Sequence, residues 1–174
     1  GTTGLLTVCS RDLEDVLANP QLVDDETPFV LAAYLLNFGE ALEWFAEDLL
    51  GAGQRNEKQN VYEAMEEEAA RVAPGSDGLI VLPHFAGRVL PQVAPHSRGA
   101  FFGLGIHHSR YHLWRALLES FGYVLCQSMA ALQERGIALN RIVASGGGAR
   151  SNLWRQIVSD VTELPQEYVP DGSA

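Results

Sequence analysis

The sequence predicts an α/β domain, because short strand-like runs alternate with longer helical segments along its 174 residues. The runs GLLTVC, GLIVLPHF and RIVAS are rich in aliphatic and β-branched residues, which is typical of buried strands. Between them apolar residues recur at helical spacing, and glycine or proline marks several of the boundaries. This length allows one domain with a substantial core.

The N-terminal half predicts one strand, one undecided apolar run and two helices. GLLTVC predicts a strand after a Gly-Thr turn, and the polar residues 10–27 predict a surface excursion. PFVLAAYLLNFG fits either a strand or a helix by periodicity alone. EALEWFAEDLL predicts a helix that ends at Gly51. Its predicted apolar stripe consists of Leu42, Phe45, Leu49 and Leu50. NEKQNVYEAMEEEAARV predicts an amphipathic helix whose residues Glu66–Glu68 face solvent.

The C-terminal half predicts two further strands and two further helices. GLIVLPHF predicts a buried strand ended by Pro83, and a proline-containing loop follows it. From His108 to about Arg135, apolar residues recur at helical spacing and predict one long helix. RIVAS predicts a short strand, Gly146–Gly148 turn the chain, and ARSNLWRQIVSDVT predicts the last helix.

The charge of the chain argues against polyanionic partners. Its 22 acidic and 12 basic residues give a net charge of −10, which repels nucleic acids and anionic membranes. The longest apolar run, FVLAAYLL, is too short to cross a bilayer. Cys9 and Cys126 are far apart and expected to be reduced, as in a cytoplasmic protein. A small anionic ligand remains allowed, because backbone N–H groups bind phosphate locally.

A cluster of three histidines is a candidate metal site. His108 and His112 have the i, i+4 spacing of a helical metal pair, and His107 is adjacent. The sequence offers no nearby third ligand, so a capping or packing role is favoured and no metal ligand is predicted. A serine-hydrolase reading also fails, because the G-x-S-x-G elbow is missing.

The glycine turn is the strongest candidate ligand site. A strand, Gly146–Gly148 and a helix N-terminus together favour phosphate binding, although the sequence is neither G-x-G-x-x-G nor a Walker loop. By itself the turn is as compatible with a structural role. GTTG at residues 1–4 and Gly39 at the head of a helix are further glycine-marked boundaries. This pattern contains no recognisable set of catalytic residues. It is typical of a domain that binds a nucleotide while another domain supplies the catalytic residues.

RGAFFGLGIHHSRYHLWRALLESFGYVL resembles a signature of the FGGY carbohydrate kinases, the family of glycerol kinase, xylulokinase and ribulokinase. The matching positions are Gly99, Phe101, Gly103, Leu104, His112, Leu113, Ala116, Leu117, Leu118 and Glu119. GTTG, NFGEALEW and GGGARSN resemble further family blocks and occur in the family order. The resemblance covers nearly the whole chain, but only the second domain of the family.

This resemblance implies an actin-like ATPase fold, a ribonuclease-H-like α/β domain with a mixed sheet flanked by helices. Residues 1–174 would be the C-terminal domain, cut short at both ends and separated from the N-terminal sugar-binding domain. The parent enzyme would use ATP and Mg²⁺ to phosphorylate a hydroxyl of a sugar or polyol, in the cytoplasm and in a form compatible with a homodimer. The catalytic aspartate would lie outside this chain, so the isolated fragment is expected to be inactive.

The resemblance also assigns nucleotide-binding residues. The threonines of GTTG would touch the phosphates, and the NFGEALEW block would line the nucleotide site. The last glycines and the alanine after them would lie against the nucleotide, and an asparagine would approach the adenine. The residues so assigned are Thr2, Thr3, Gly39, Glu43, Gly147, Gly148, Ala149 and Asn152.

The proline-containing loop of residues 87–95 departs from the family sequence. The family often has Gly-Glu-Arg-x-Pro-x-x-Asp-Pro, whereas GRVLPQVAP has Arg88 and Ala94 in place of the two acids. No particular sugar is therefore predicted.

Two alternatives to a sugar kinase remain open. They are an actin-like ATPase without a sugar substrate and a non-catalytic module derived from a kinase. A Rossmann dehydrogenase is less favoured, because no acidic residue follows the glycines at ribose distance.

Overall fold

The computed structural model describes residues 4–10, 29–35, 38–49, 58–88, 92–134 and 139–170. In chain order the elements are β1 (Gly4–Ser10), β2 (Phe29–Leu35), α1 (Phe38–Trp44), a π-helical turn (Phe45–Leu49), α2 (Lys58–Ala70), a 3₁₀ turn (Ser76–Gly78), β3 (Ile80–Leu82), β4 (Ala100–Phe102), α3 (Arg110–Gln133), β5 (Ile142–Ala144), a second 3₁₀ turn (Gly147–Arg150), α4 (Asn152–Thr162) and β6 (Gln166–Tyr168). No helix in these ranges is long and apolar enough to cross a membrane.

The strands of the described ranges form three pairs. β1 and β2 are antiparallel, with Gly4 opposite Leu35, and β3 and β4 are also antiparallel. β5 and β6 are parallel, with Ile142 opposite Gln166. The apolar run that periodicity left undecided is divided between two elements, since β2 ends at Leu35 and α1 begins at Phe38.

Helix α3 is the centre of the core, and it packs against α2, α4 and β3. The side chains of Trp114, Leu117 and Leu118 are almost completely buried. The predicted helix from His108 to about Arg135 is confirmed as Arg110–Gln133. Its apolar residues occupy several faces because other elements cover the helix on more than one side.

His112 helps to cap α3, and His108 binds the turn before the helix, in line with the predicted capping or packing role. Ser109 is the N-cap, and its side-chain oxygen accepts a hydrogen bond from the Tyr111 N–H at 3.3 Å. Nδ1 of His112 accepts from the Ser109 N–H at 3.1 Å, which completes a capping box. Nδ1 of His108 accepts from the Gly105 N–H at 2.8 Å. These contacts give His108 and His112 a structural role.

A buried ion pair holds the turn after α2 against α3. Residues 75–78 all have positive φ, between 48° and 88°. One oxygen of Glu119 accepts from the Gly75 N–H at 3.0 Å, and the other accepts from the Ser76 hydroxyl at 2.9 Å. Nε of Arg115 donates to Glu119 at 2.7 Å, and both side chains are buried. The carboxylate therefore binds a turn whose backbone conformation L residues rarely adopt.

The sequence signature consists largely of scaffold residues. Gly103 has φ +79°, and a Cβ atom there would lie 2.6 Å from the carbonyl oxygen of Gly78. Glycine is therefore required where β4 ends beside the strained turn. Ala116, Leu117 and Leu118 are buried in α3, and Glu119 supports the turn.

Two packing predictions were wrong. Leu49 was expected on the buried stripe of its helix, but it is 51% exposed, whereas Phe45 is buried. The π-helical turn that begins at Phe45 has wider i→i+5 hydrogen bonding and changes the rotation of the residues after it. β3 was expected to be buried throughout, but only Val81 is, because Ile80 and Leu82 lie on the exposed face. Leu50 lies outside the described residues.

Candidate nucleotide-binding site

A cavity of about 430 Å³ lies between α1, α2, α3 and the glycine turn that precedes α4. Its described lining consists of Phe38, Gly39, Leu42, Tyr62, Glu63, Glu66, Trp114, Leu118, Gly147, Gly148, Arg150, Ser151 and Trp154. This volume is in the range of sites that hold small organic ligands. A lining of aromatic side chains with a few polar groups is also typical of such sites.

The glycine turn is compact and internally hydrogen-bonded. Gly146 has φ +82°, which only glycine adopts without strain. The Ala149 N–H donates to the Gly146 carbonyl at 3.1 Å, and the Ser151 N–H donates to the Gly148 carbonyl at 3.2 Å. Because these two donors are used inside the turn, they do not form the phosphate cradle that a helix N-terminus can offer. Gly147 and Gly148 instead allow a ligand to approach the backbone closely.

Three of the predicted nucleotide-binding residues meet at this cavity. Gly39 is in the first turn of α1, and Gly147 and Gly148 are in the turn before α4. All three line the same cavity, although Gly39 is far from the other two in the chain. The predicted grouping of these glycines is therefore a feature of the fold.

The other predicted residues are not brought to the cavity. Ala149 is buried, Asn152 is exposed at the start of α4, and Glu43 is half-buried on α1. None of them is part of the described lining. Thr2 and Thr3 lie outside the described residues. Their assignment as nucleotide-binding residues therefore rests on the resemblance alone.

The apolar wall is built from aromatic rings that contact one another. The rings of Phe38 and Trp154 are 4.7 Å apart between centroids and inclined by 33°. Phe121 meets Phe38 edge to face at 4.8 Å from behind. A Cβ atom on Gly148 would lie 3.1 Å from the Phe38 ring, so the turn packs directly on this aromatic pair. Flat, apolar ligand groups suit such a wall.

The acidic wall contains Glu66, which was wrongly predicted to be solvent-exposed with its two neighbours. Glu66 is half-buried and lines the cavity, as Glu63 does. The pKa of Glu66 is raised above its ordinary value, mainly because the carboxylate is partly buried. A hydrogen bond with the Ser151 side chain lowers this pKa, and the charge of Glu63 raises it further. Helical spacing could have indicated this position, because Glu66 follows Tyr62 by four residues and therefore lies on the same side of α2.

The remaining lining residues, above all Trp114 and Trp154, were missed as site residues. They belong to helices that sequence patterns identify but cannot orient towards one another. An amphipathic pattern shows that a side chain is buried, but it does not show which distant element covers that side chain.

Two solved structures that match this fold are a xylulose kinase and a glycerol kinase. The chain matches the xylulose kinase from Rhodospirillum rubrum with a TM-score of 0.82 and 32% identity, over 99% of this chain and 34% of that one. It matches the fold of the Plasmodium falciparum glycerol kinase, solved with ADP, with a TM-score of 0.69 at 21% identity, over 95% of this chain and 30% of that one. The domain is thus of the actin-like ATPase class, as the resemblance implied.

Residues 1–173 match the model of the C-terminal domain of the FGGY family of carbohydrate kinases, and the chain belongs to this family. The gluconokinase of Bacillus subtilis is 36% identical over 148 residues, which are 80% of this chain and 29% of that protein. The xylulose kinase of Escherichia coli is 32% identical over 142 residues, 82% of this chain and 28% of that protein. The chain therefore spans less than a third of the length of these relatives.

Proposed function

We propose that this chain binds ATP and is the nucleotide-binding part of an enzyme that phosphorylates a hydroxyl group of a sugar or polyol. The observation that carries the proposal is the meeting of Gly39, Gly147 and Gly148 at one aromatic-walled cavity. These are the glycines that the family resemblance assigns to the nucleotide. The relatives named gluconokinase and xylulose kinase support an acceptor of the sugar class.

The cavity fits the nucleoside end of ATP. A flat base would pack on the Phe38 and Trp154 rings, and a ribose would pass the glycine backbone where no side chain obstructs it. Glu63 and Glu66 outnumber the one cation in the described lining, Arg150, and the resulting negative charge disfavours the triphosphate. The phosphates would therefore lie outside the cavity, and Thr2 and Thr3 are the residues that the resemblance predicts to contact them.

In the proposed reaction the acceptor oxygen attacks the γ-phosphorus, the bond to the β–γ bridging oxygen breaks, and ADP leaves. The acceptor proton passes to a base that we expect outside this chain, so no catalytic residue is assigned here. This chain contributes orientation, because holding the nucleoside fixes the position of the leaving group. Mg²⁺ would accompany the phosphates, which it usually binds together with one or two carboxylates.

The test uses the full-length protein, ATP and a panel of sugars, sugar acids and polyols. We expect ADP to form only with certain acceptors, and one phosphorylated acceptor to form for each ADP. ATP hydrolysis that no acceptor stimulates would instead favour an actin-like ATPase of another function. A full-length protein that binds no ATP would favour a non-catalytic module and contradict the proposal.

Several finer predictions accompany this function. We expect a ribonuclease-H-like sheet, a cytoplasmic enzyme and an N-terminal sugar-binding domain elsewhere in the protein, and a homodimer is compatible with the family. Sedimentation of the full-length enzyme would test the dimer. Turnover by the purified fragment alone would contradict the division of labour between two domains.

A further inference from the structure

One of three consecutive glutamates in α2 differs from its neighbours. Glu67 and Glu68 are paired with Arg71, at 3.1 and 2.6 Å, with the Arg71 and Glu67 side chains largely exposed. Glu66 instead lines the cavity together with the glycine turn. Placing a carboxylate in an apolar-walled cavity costs free energy unless hydrogen bonds compensate for the lost water. Packing alone therefore does not account for an acid at this position.

The Glu66 carboxylate interacts with Ser151, the residue that caps α4. The Ser151 hydroxyl hydrogen-bonds Glu66, and its oxygen accepts from the Trp154 N–H at 2.9 Å. The single hydroxyl group thus connects α2 to the beginning of α4. An ionised carboxylate has about four acceptor sites, so one bond from Ser151 leaves it able to accept from a ligand.

The proposed ATP ligand presents hydrogen-bond donors only at its nucleoside end. These donors are the 6-amino group of adenine and the two ribose hydroxyls, whereas the phosphate oxygens are acceptors that a carboxylate repels. We propose that Glu66 accepts a hydrogen bond from a donor of the bound nucleoside and thereby selects the nucleotide. This inference rests on the proposed function, because it requires ATP in the cavity.

The expected selectivity follows from the cost of leaving a buried acceptor unpaired. A site built to bind a donor rejects an analogue without that donor, and a hydrogen bond to a charged group corresponds to about 10- to 100-fold in affinity. The wild-type enzyme should therefore bind ATP more tightly than one of its close analogues by this factor. The analogue that is rejected identifies the donor.

The experiment measures the affinity of the full-length enzyme for ATP, 2′-deoxy-ATP, 3′-deoxy-ATP and inosine triphosphate by calorimetry. Glu66→Ala should abolish the preference for ATP over the rejected analogue, and Glu66→Gln should keep part of it through its amide oxygen. Glu67→Gln, the matched control on the exposed face, should behave as wild type. Rejection of inosine triphosphate assigns the adenine amino group, and rejection of a deoxy nucleotide assigns the missing hydroxyl.

Three results would overturn the inference, and they are distinguishable. If the wild-type enzyme binds ATP but discriminates against none of the analogues, Glu66 accepts no hydrogen bond from the nucleoside. If Glu66→Ala weakens all four nucleotides equally, while melting shows an intact fold, the residue has only a structural role. If wild type binds none of the nucleotides, the proposed function fails together with this inference.

Discussion

The glycine turn offers a substitution that separates ligand binding from folding. A Cβ atom on Gly147 would meet nothing within 4 Å, and the backbone there does not have positive φ. Alanine therefore fits this position without strain. Replacing glycine by alanine at such a position stabilises a protein by about 0.4–1 kcal/mol, because the unfolded chain loses freedom. The free energy of unfolding of Gly147→Ala should thus be unchanged or slightly higher.

The same methyl group should weaken ATP binding. Gly147 lines the cavity, so its Cβ atom would occupy space that the proposed nucleotide needs. Inserting a methyl group into a well-packed contact typically costs about 1–3 kcal/mol. This cost corresponds to about a 5- to 150-fold increase in the dissociation constant. Calorimetry on the full-length enzyme measures this change, and thermal melting of the same samples verifies the fold.

Gly148→Ala is the matched comparison. Its Cβ atom would lie 3.1 Å from the Phe38 ring, which is packed between Phe121 and Trp154. This ring has little room to move, so the variant should lose stability as well as affinity. If Gly147→Ala binds ATP as tightly as wild type and remains folded, no nucleotide approaches the turn, and the glycines have only a structural role.

The remaining predictions concern the scaffold and one titrating group. Glu119→Ala should cost about 3–5 kcal/mol of unfolding free energy, because Arg115 would stay buried without its partner, whereas the exposed control Arg71→Ala should cost about 1 kcal/mol or less in the same denaturation experiment. Ser109→Ala should cost about 0.5–2 kcal/mol through the lost cap, and equal melting temperatures would contradict the capping role. Glu66→Gln should melt at a higher temperature than wild type at neutral pH. Because burial raises the pKa of Glu66, the folded protein loses stability as pH rises through the interval between the ordinary and the raised pKa. The advantage of the variant should therefore vanish at lower pH, and an advantage that grows on acidification would contradict this.

Much of the fold could be predicted because its strongest signals are local. The 24-residue helix α3 repeats apolar residues over many turns, which predicts its ends to within about two residues. The glycine turn was predictable because a strand, three glycines and a helix follow one another directly. β6 had no such signal, because QEY has little strand character and is ordered by pairing with β5.

The cavity could be predicted only in part, because it is assembled from distant segments. The family blocks identified Gly39, Gly147 and Gly148. A glycine lets a ligand approach its own backbone, so its role does not depend on how a neighbouring side chain is oriented. Glu66 was missed because a run of acids usually indicates a solvated helix face, and its burial depends on how α2 rotates against the glycine turn. Leu49 was wrongly placed for a similar reason, because periodicity assumes a regular helix where a π-helical turn occurs.

The central claim, that this cavity holds the nucleoside of ATP, is tested most directly by a crystal structure of the full-length enzyme with a non-hydrolysable ATP analogue. The base should pack against Phe38 and Trp154, with the nucleoside against Gly147 and Gly148 and the phosphates outside the cavity. A nucleotide bound elsewhere, with this cavity left unchanged, would contradict the account.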